Sequence, residues 1–376
     1  MFKYPVYQPS LTGNEKRYVN ECLDSTWISS KGKFISSFEG AFKSYVGARH
    51  AATVSNGTVA IHLALLALGI GPEAEVIVPT LTYIASVNAI AYTGATPVFC
   101  DSLGDTWQMD PEDVRRKITS RTRAILAVHL YGQPCEMDEL AKIAREHGLF
   151  LVEDCAEAFG SLYHGRHVGT FGDIGTFSFF GNKTITTGEG GMVVTNDDTL
   201  HDRMTHFKGQ GLAKYREYWH DVIGYNYRMT NICAAIGLAQ LEQADSFIAK
   251  KRQIANWYKR ELDGSKIVFH EEVGDVRHSY WMVSILAPDA EDRDPLRSAL
   301  RERGIETRPL FYPVHSMPMY SSAFQRHPVA ENLAWRGINL PSYPGLDTAS
   351  VQEICETIRE YFRDRDHICE APKTCS

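Results

Sequence analysis

"DIGTFSFFGNKTITTGEGGMVVTND", Asp173 to Asp197, is the stretch on which the fold turns. Its ends, 173–180 and 191–197, are short apolar runs with strand character. Its middle carries one lysine, Lys183, among Gly181, Gly188, Gly190 and Gly191. Three readings compete: a phosphate loop, a solvated hairpin tip, and the seat of a lysine that forms a covalent bond. A Walker loop needs G-x-x-x-x-G-K-[ST] opening a helix. Here five residues separate Gly175 from Gly181, Asn182 intervenes before the lysine, and a turn and second strand follow. The phosphate loop fails on spacing and context. A hairpin tip is an ordinary place for a lysine, but "FSFF" supplies apolar surroundings and the glycines let backbone pass close to a ligand. Such surroundings desolvate an amine, lower its pKa and make it a nucleophile and base near neutrality.

Outward from this stretch, "EVIVPT" (75–80), "TPVFCD" (96–101), "RAILAVHLYG" (123–132) and "LFLVEDCA" (149–156) also read as strands. Several are apolar throughout, as strands buried on both faces of a parallel sheet are. Helical patterns lie between them, among them Thr58–Leu68, closed by Gly69 and Gly71, and Glu136–His147, closed by Gly148. Strands alternating with helices predict a large three-layer α/β domain with a mostly parallel sheet. Residues Asn231 to Leu262 read as one or two long amphipathic helices. They lead to a smaller α+β unit containing "SYWMVSILAP", the helix "DPLRSALRERG" and a final helix over Thr348–Arg363. A chain of 376 residues exceeds what one core holds, and the expected domains are 1–245 and 246–376.

Composition narrows the function. With a formal net charge of −7 nothing draws the whole chain to nucleic acid or an anionic membrane, so an anionic ligand needs local donors. No apolar run approaches ~20 residues and the start, "MFKYPVYQPS", lacks a signal-peptide core, so a cytoplasmic protein is expected. Eight cysteines without CxxC spacing read as free thiols. Fourteen histidines without HxxxH or HExxH spacing give no metal site, and no G-x-S-x-G marks a serine hydrolase.

In an open α/β sheet ligands bind beyond the carboxyl ends of the strands. Strand 149–153 runs into Asp154 and Glu157, 123–129 into His129 and Tyr131, and 174–179 into Ser178 and then Lys183. Asp154 could be a helix cap. It could equally sit beneath a nitrogen heterocycle and keep it protonated, as the ring of pyridoxal phosphate (PLP) requires. In "SNGTVAIHLALLALGIG" (55–71), Gly57 and Thr58 open an apolar helix whose free N–H groups offer a phosphate site, though capping by Ser55, Asn56 or Thr58 would look the same. Tyr83 in "PTLTYIAS" is either packing or a ring to stack on a cofactor.

"SNGT", "EDCAEA", "SFFGN" before Lys183, "GEGG" after it, and "YNYRMTNICAAIGLAQL" downstream occur in this order. The set resembles the DegT/DnrJ/EryC1/StrS family of PLP-dependent sugar aminotransferases, of fold type I, and the likeness covers nearly the whole chain. It implies that Lys183 binds PLP as a Schiff base and Asp154 pairs with the ring nitrogen. Glu157 would lie near the ring hydroxyl, Gly57, Thr58 and Ser178 would hold the phosphate, and Tyr83 would stack on the ring. Asn226 would reach the phosphate in the partner subunit, making a homodimer necessary. Arg308, Tyr312 and His315, in "ETRPLFYPVHSMP", match a segment near the sugar nucleotide, and Lys33 is a further candidate there. Relatives that dehydrate the keto sugar carry histidine at the Schiff-base position, so Lys183 favours transamination. The implied reaction moves the amino group of L-glutamate to C4 of a nucleotide-linked 4-keto-6-deoxy sugar. GDP-4-keto-6-deoxymannose, giving GDP-perosamine, is the expected acceptor; the alternatives are a dTDP- or UDP-linked keto sugar, an inositol or a small phosphorylated ketone. A regulator that keeps the fold without the chemistry is disfavoured by Lys183, Asp154 and Ser178 together.

Overall fold

The computed structural model describes residues 2–321 and 323–370. Its centre is a seven-stranded sheet: β1 His50–Val54, β2 Glu75–Pro79, β3 Thr96–Cys100, β4 Thr122–Val128, β5 Phe150–Asp154, β6 Ile174–Ser178 and β7 Gly191–Thr195. The spatial order is β1-β7-β6-β5-β4-β2-β3. β7 runs against both neighbours, Ser178 facing Gly191 and Val54 facing Gly191; the pairs among β2 to β6 are parallel. Five of these strands match expectation within two residues, and β4 stops at Val128, four residues short of the expected end, where the chain turns at Leu130–Gly132. β1 is an addition to them, since "HAATV" has little of the branched or aromatic content that marks a strand.

Alternation along β2 shows the layering. Val76 and Val78 pack on one side with Ala64, Leu65 and Ile90, while Ile77 packs on the other with Met137, Leu140 and Ile143. The sheet is therefore covered on both faces. The helix Gly57–Ala67 is buried almost all round because it is apolar on every side. Asn56 caps it, its side chain accepting the N–H of Val59 at 3.0 Å.

The stretch 231–262 forms two helices, Asn231–Leu241 and Ala244–Glu261. The second leads to a four-stranded antiparallel sheet of β8 Val268–Phe269, β9 Val283–Leu286, β10 Arg308–Pro309 and β11 Gly337–Leu340, in the order β8-β9-β11-β10. The helix expected at Asp294 begins earlier, at Ala290, because Asp289 and Asp292 close a capping box around its start. The last helix runs from Thr348 to Glu370, past the expected end at Arg363. The amino-terminal residues join this second region: Tyr4 exchanges backbone hydrogen bonds with Gly304 and Glu306, and Glu306 accepts the N–H of Val6. Among the described residues no helix is long and apolar enough to cross a membrane.

Candidate active site

The site forms where β4, β5 and β6 end. Along β6 the two-residue period sends Phe177 and Phe179 into an aromatic cluster, Phe177 5.0 Å from Phe42 and Phe179 5.3 Å from Phe38, ring centre to ring centre. Ser178 therefore faces the other way, toward Gly57. A Cβ at Gly57 would lie 2.7 Å from Ser178 Cβ, so glycine is what lets the helix start approach the strand end. The N–H groups of Gly57 and Thr58 precede the helical ladder and are free for a ligand. With the Ser178 hydroxyl beside them they form an anion cradle at a positive helix end.

Asp154, the last residue of β5, is buried; one oxygen accepts from the Ser86 hydroxyl at 2.8 Å and the other from the N–H of Ala156 at 3.0 Å. Burial raises its pKa, against the pull of these donors and of Lys183. Glu157 accepts the N–H of Tyr131 at 2.9 Å, and its other oxygen lies 3.7 Å from Lys183 Nζ. Burial pushes its carboxyl up to about 7. The same burial lowers the Lys183 amine, although Glu157 and Asp154 pull it upward. The lysine side chain is 12% exposed, so its amine is shielded yet reachable. An amine and two acids with their proton affinities drawn toward one another are equipped to pass protons near neutral pH.

Of the other expected residues, Tyr83 opens the helix Ile84–Tyr92 with its ring exposed, 5.5 Å from that of Phe311. Asn226 is exposed and accepts from Arg228 Nε at 3.0 Å. Arg308 is exposed and pairs with Glu306 at 3.6 Å, and Tyr312 is exposed with its ring against Trp335. His315 is buried, one ring nitrogen 2.7 Å from Thr80 Oγ1 and the other 3.5 Å from Glu331. Lys33 sits on the surface, paired with Glu21. His129, expected at the crevice, is fully buried instead. It accepts the N–H of Cys135 at one nitrogen and meets Glu153, the inward neighbour of Asp154, at the other. Three backbone N–H groups, of Gly169, Phe171 and Gly172, complete the Glu153 carboxylate. Those donors are spoken for, so the His129–Glu153 pair is a strut under β5.

Sequence reasoning missed Ser86, Tyr7 and Trp281. Tyr7 donates its hydroxyl to the Lys183 carbonyl, and Trp281 donates Nε1–H to the Asn182 carbonyl at 2.7 Å. A "TYIAS" turn offers a weak hint for Ser86; nothing local to the other two predicts their contact.

PLP presents an aldehyde, a ring nitrogen, a phenolic oxygen and a phosphate. The residues fit all four: amine, buried acid, second acid and anion cradle. The buried Oδ1 of Asn182, next to Lys183, has no hydrogen-bond partner among the described residues, a cost that a polar ligand here would offset.

A shielded lysine beside a buried carboxylate, with a helix start at the strand ends of a mostly parallel sheet, is the donor set a PLP enzyme of the α/β class needs. The chain belongs to the DegT/DnrJ/EryC1/StrS aminotransferase family, whose sequence profile matches residues 9–359. It is 67% identical over 361 residues to the GDP-perosamine synthase of Escherichia coli O157:H7, spanning 96% of this chain and 99% of that protein. Among solved structures, S. venezuelae DesV superposes with a TM-score of 0.88 at 36% identity, covering 93% of this chain and 94% of that one. The PLP form of Spr1654 from Streptococcus pneumoniae gives 0.91 at 27% identity, over 96% and 98%. The chain is a PLP-dependent aminotransferase.

Proposed function

We propose that this enzyme transfers the amino group of L-glutamate to C4 of GDP-4-keto-6-deoxymannose, giving GDP-perosamine. The observation that carries the reading is the shielded Lys183 amine 3.7 Å from Glu157, in a chain so near in sequence to a GDP-perosamine synthase. PLP, when bound, supplies an aldehyde that captures amines and a ring that takes up electrons from the adjoining carbon. The protein's residues do the rest. Lys183 holds the aldehyde and, once displaced by the donor amine, moves the proton between the two carbons that exchange it. Asp154 keeps the ring nitrogen protonated, and Glu157 serves the phenolic oxygen. Gly57, Thr58 and Ser178 hold the phosphate, and Tyr83 packs on the ring.

The reading includes a homodimer, in which the exposed Asn226 serves the partner's cofactor phosphate. Arg308 and Tyr312, both exposed, would meet the sugar nucleotide directly. His315 would support that wall through Thr80 and Glu331, and Lys33 would add positive charge at its edge. A large cofactor-binding domain over 1–245 and a smaller one over 246–376 belong to the same proposal. So does a cytoplasmic setting, which suits unpaired Cys22, Cys100, Cys135, Cys155, Cys233 and Cys355, all but Cys233 buried.

The test is amine transfer from L-glutamate to a panel of GDP-, dTDP- and UDP-linked 4-keto sugars, read by chromatography and mass spectrometry. GDP-perosamine should form with a kcat/KM at least tenfold above every other product. A dTDP or UDP product in excess would overturn the acceptor while leaving the aminotransferase intact.

A further inference from the structure

Lys183 has a neighbour that the reaction scheme does not use. Its Nζ lies 3.8 Å from the centre of the Trp281 ring, well inside the ~6 Å within which an ammonium is held by an aromatic face. Trp281 comes from the second region of the chain, two residues before β9, and is 5% exposed. It is held on two sides. Nε1–H donates to the carbonyl of Asn182, and the ring lies nearly parallel to Tyr131, 8° off at 6.0 Å. Tyr131 is itself fixed, its backbone N–H on Glu157 and its hydroxyl accepting the N–H of Phe311 at 3.0 Å. These contacts hold the indole face toward the amine.

We propose that Trp281 is a catalytic residue: its indole face seats the Lys183 amine whenever that amine is free of the cofactor, and stabilises it in the protonated form. This rests on the reading of Lys183 as the PLP lysine, and is independent of which sugar accepts the amine.

The surroundings explain why an uncharged face suits the role. The charged groups facing the amine are Asp154, the last residue of β5, and Glu157, three residues beyond it; Tyr7 engages only the Lys183 backbone carbonyl. Asp154 is committed to Ser86 and Ala156, and to the cofactor nitrogen when PLP is present. Glu157 changes charge near neutral pH, so its attraction comes and goes. The indole face is constant. It offsets part of the burial that disfavours the ammonium, without the full attraction of a carboxylate that would hold the proton too tightly to give up.

The test reads the amine itself. Full-length protein freed of PLP is trace-labelled with acetic anhydride across pH, and Lys183 modification is followed by peptide mass spectrometry. Trp281→Leu should lower the Lys183 pKa by about one unit, and Trp281→Phe, which keeps a face but loses Nε1–H, by less than half of that. A shape-neutral series guards against misfolding: the protein's six tryptophans are replaced by mono- and then trifluorotryptophan, which drain charge from the ring face. The pKa should fall stepwise along that series. An unmoved Lys183 titration in the fluorinated proteins, or in a folded Trp281→Leu, overturns the proposal. Acceptor preference has no bearing on this measurement, so a failure here and a failure of the GDP-sugar reading are told apart.

Discussion

Glu157 Oε1 stands 3.7 Å from Lys183 Nζ, and each group lies where burial opposes its charge. A pair under that strain exchanges a proton cheaply. A surface pair of the same length would be screened and of little chemical use.

Removing the amine is the most direct test. Lys183→Ala should reduce turnover by at least about 10³-fold, because the proposed covalent anchor and proton carrier are lost together. The fold should survive, since the buried Glu157 is readily kept neutral. Absorbance in the PLP region after mixing with the cofactor, followed by borohydride reduction and peptide mapping, checks it. A stable label at Lys183 in the parent and none in the variant is expected.

The Glu157 carboxyl makes stability depend on pH in a defined direction. Its pKa in the folded protein is about 7, raised from 4.5. Between those values the folded state holds more protons than the unfolded chain, so stability falls as pH rises through the window. Glu157→Gln should remove that slope in the PLP-free protein. Relative to the parent the variant should gain on the order of 2 kcal/mol between pH 4.5 and pH 8, read from urea unfolding at both. Parallel profiles for the two proteins would refute the account.

Much of this site is legible in the sequence, for physical reasons that also explain what is not. β2, β4, β5 and β6 stand out because strands buried on both faces are largely apolar, and the site residues sit where each run stops. β1 is hidden by its alanines. Lys183 is conspicuous because it follows an apolar strand and lies among glycines. Tyr7 and Trp281 are not, since they meet the loop across 176 and 99 residues of chain and only after the second sheet has docked. A tryptophan in "SYWMVSILAP" reads as core, and it is core; its second role depends on what the core lies against. His129 misleads for the opposite reason. Position places it at the strand end, but the pleat turns it to Glu153.

Asp154 should prove a chemical residue with little structural cost. In Asp154→Asn the retained oxygen can still accept from Ala156. The new amide can donate to Ser86, whose hydroxyl can turn toward Thr82, 3.1 Å away. The melting temperature should shift by no more than a few degrees. A neutral amide cannot hold a ring nitrogen protonated, so kcat should fall by about 10²–10³-fold. Ser86→Ala, which frees one carboxylate oxygen, should cost only about three- to tenfold. Near-equal kcat values for Asp154→Asn and the parent would remove Asp154 from its assigned role.

Tyr7 ties the amino-terminal segment to the loop that carries Lys183, through the carbonyl of that lysine. The hydroxyl is buried and its pKa is raised by that burial, so it acts as a donor at every accessible pH. Tyr7→Phe keeps the ring and removes the tie. Stability should drop by about 1 kcal/mol. Turnover should fall by about tenfold while the KM for the keto sugar stays within twofold, because the displaced group is the lysine and not the substrate wall. Steady-state kinetics with a thermal melt decides between this split and a general loosening, which would raise KM as well.

The close approach of Gly57 to Ser178 gives a prediction about the cofactor alone. An alanine Cβ at position 57 would stand 2.7 Å from Ser178 Cβ, 3.0 Å from its hydroxyl and 3.4 Å from its Cα. The Cα belongs to the end of β6 and cannot give way freely, so the helix start must retreat by a few tenths of an ångström. That retreat carries the N–H groups of Gly57 and Thr58 off the cradle. Gly57→Ala should therefore weaken PLP binding by about 10–100-fold, measured by fluorescence titration of the cofactor-free protein. Thermal stability without PLP should change far less. Ser178→Ala separates the two causes: it removes the hydroxyl without moving the helix, and should weaken PLP by about tenfold at most. In Gly57→Ala/Ser178→Ala the hydroxyl clash is gone but the strand end still crowds the new methyl group, so affinity should stay near that of Gly57→Ala. Recovery to the level of Ser178→Ala would show that the hydroxyl, and not the helix position, sets the loss.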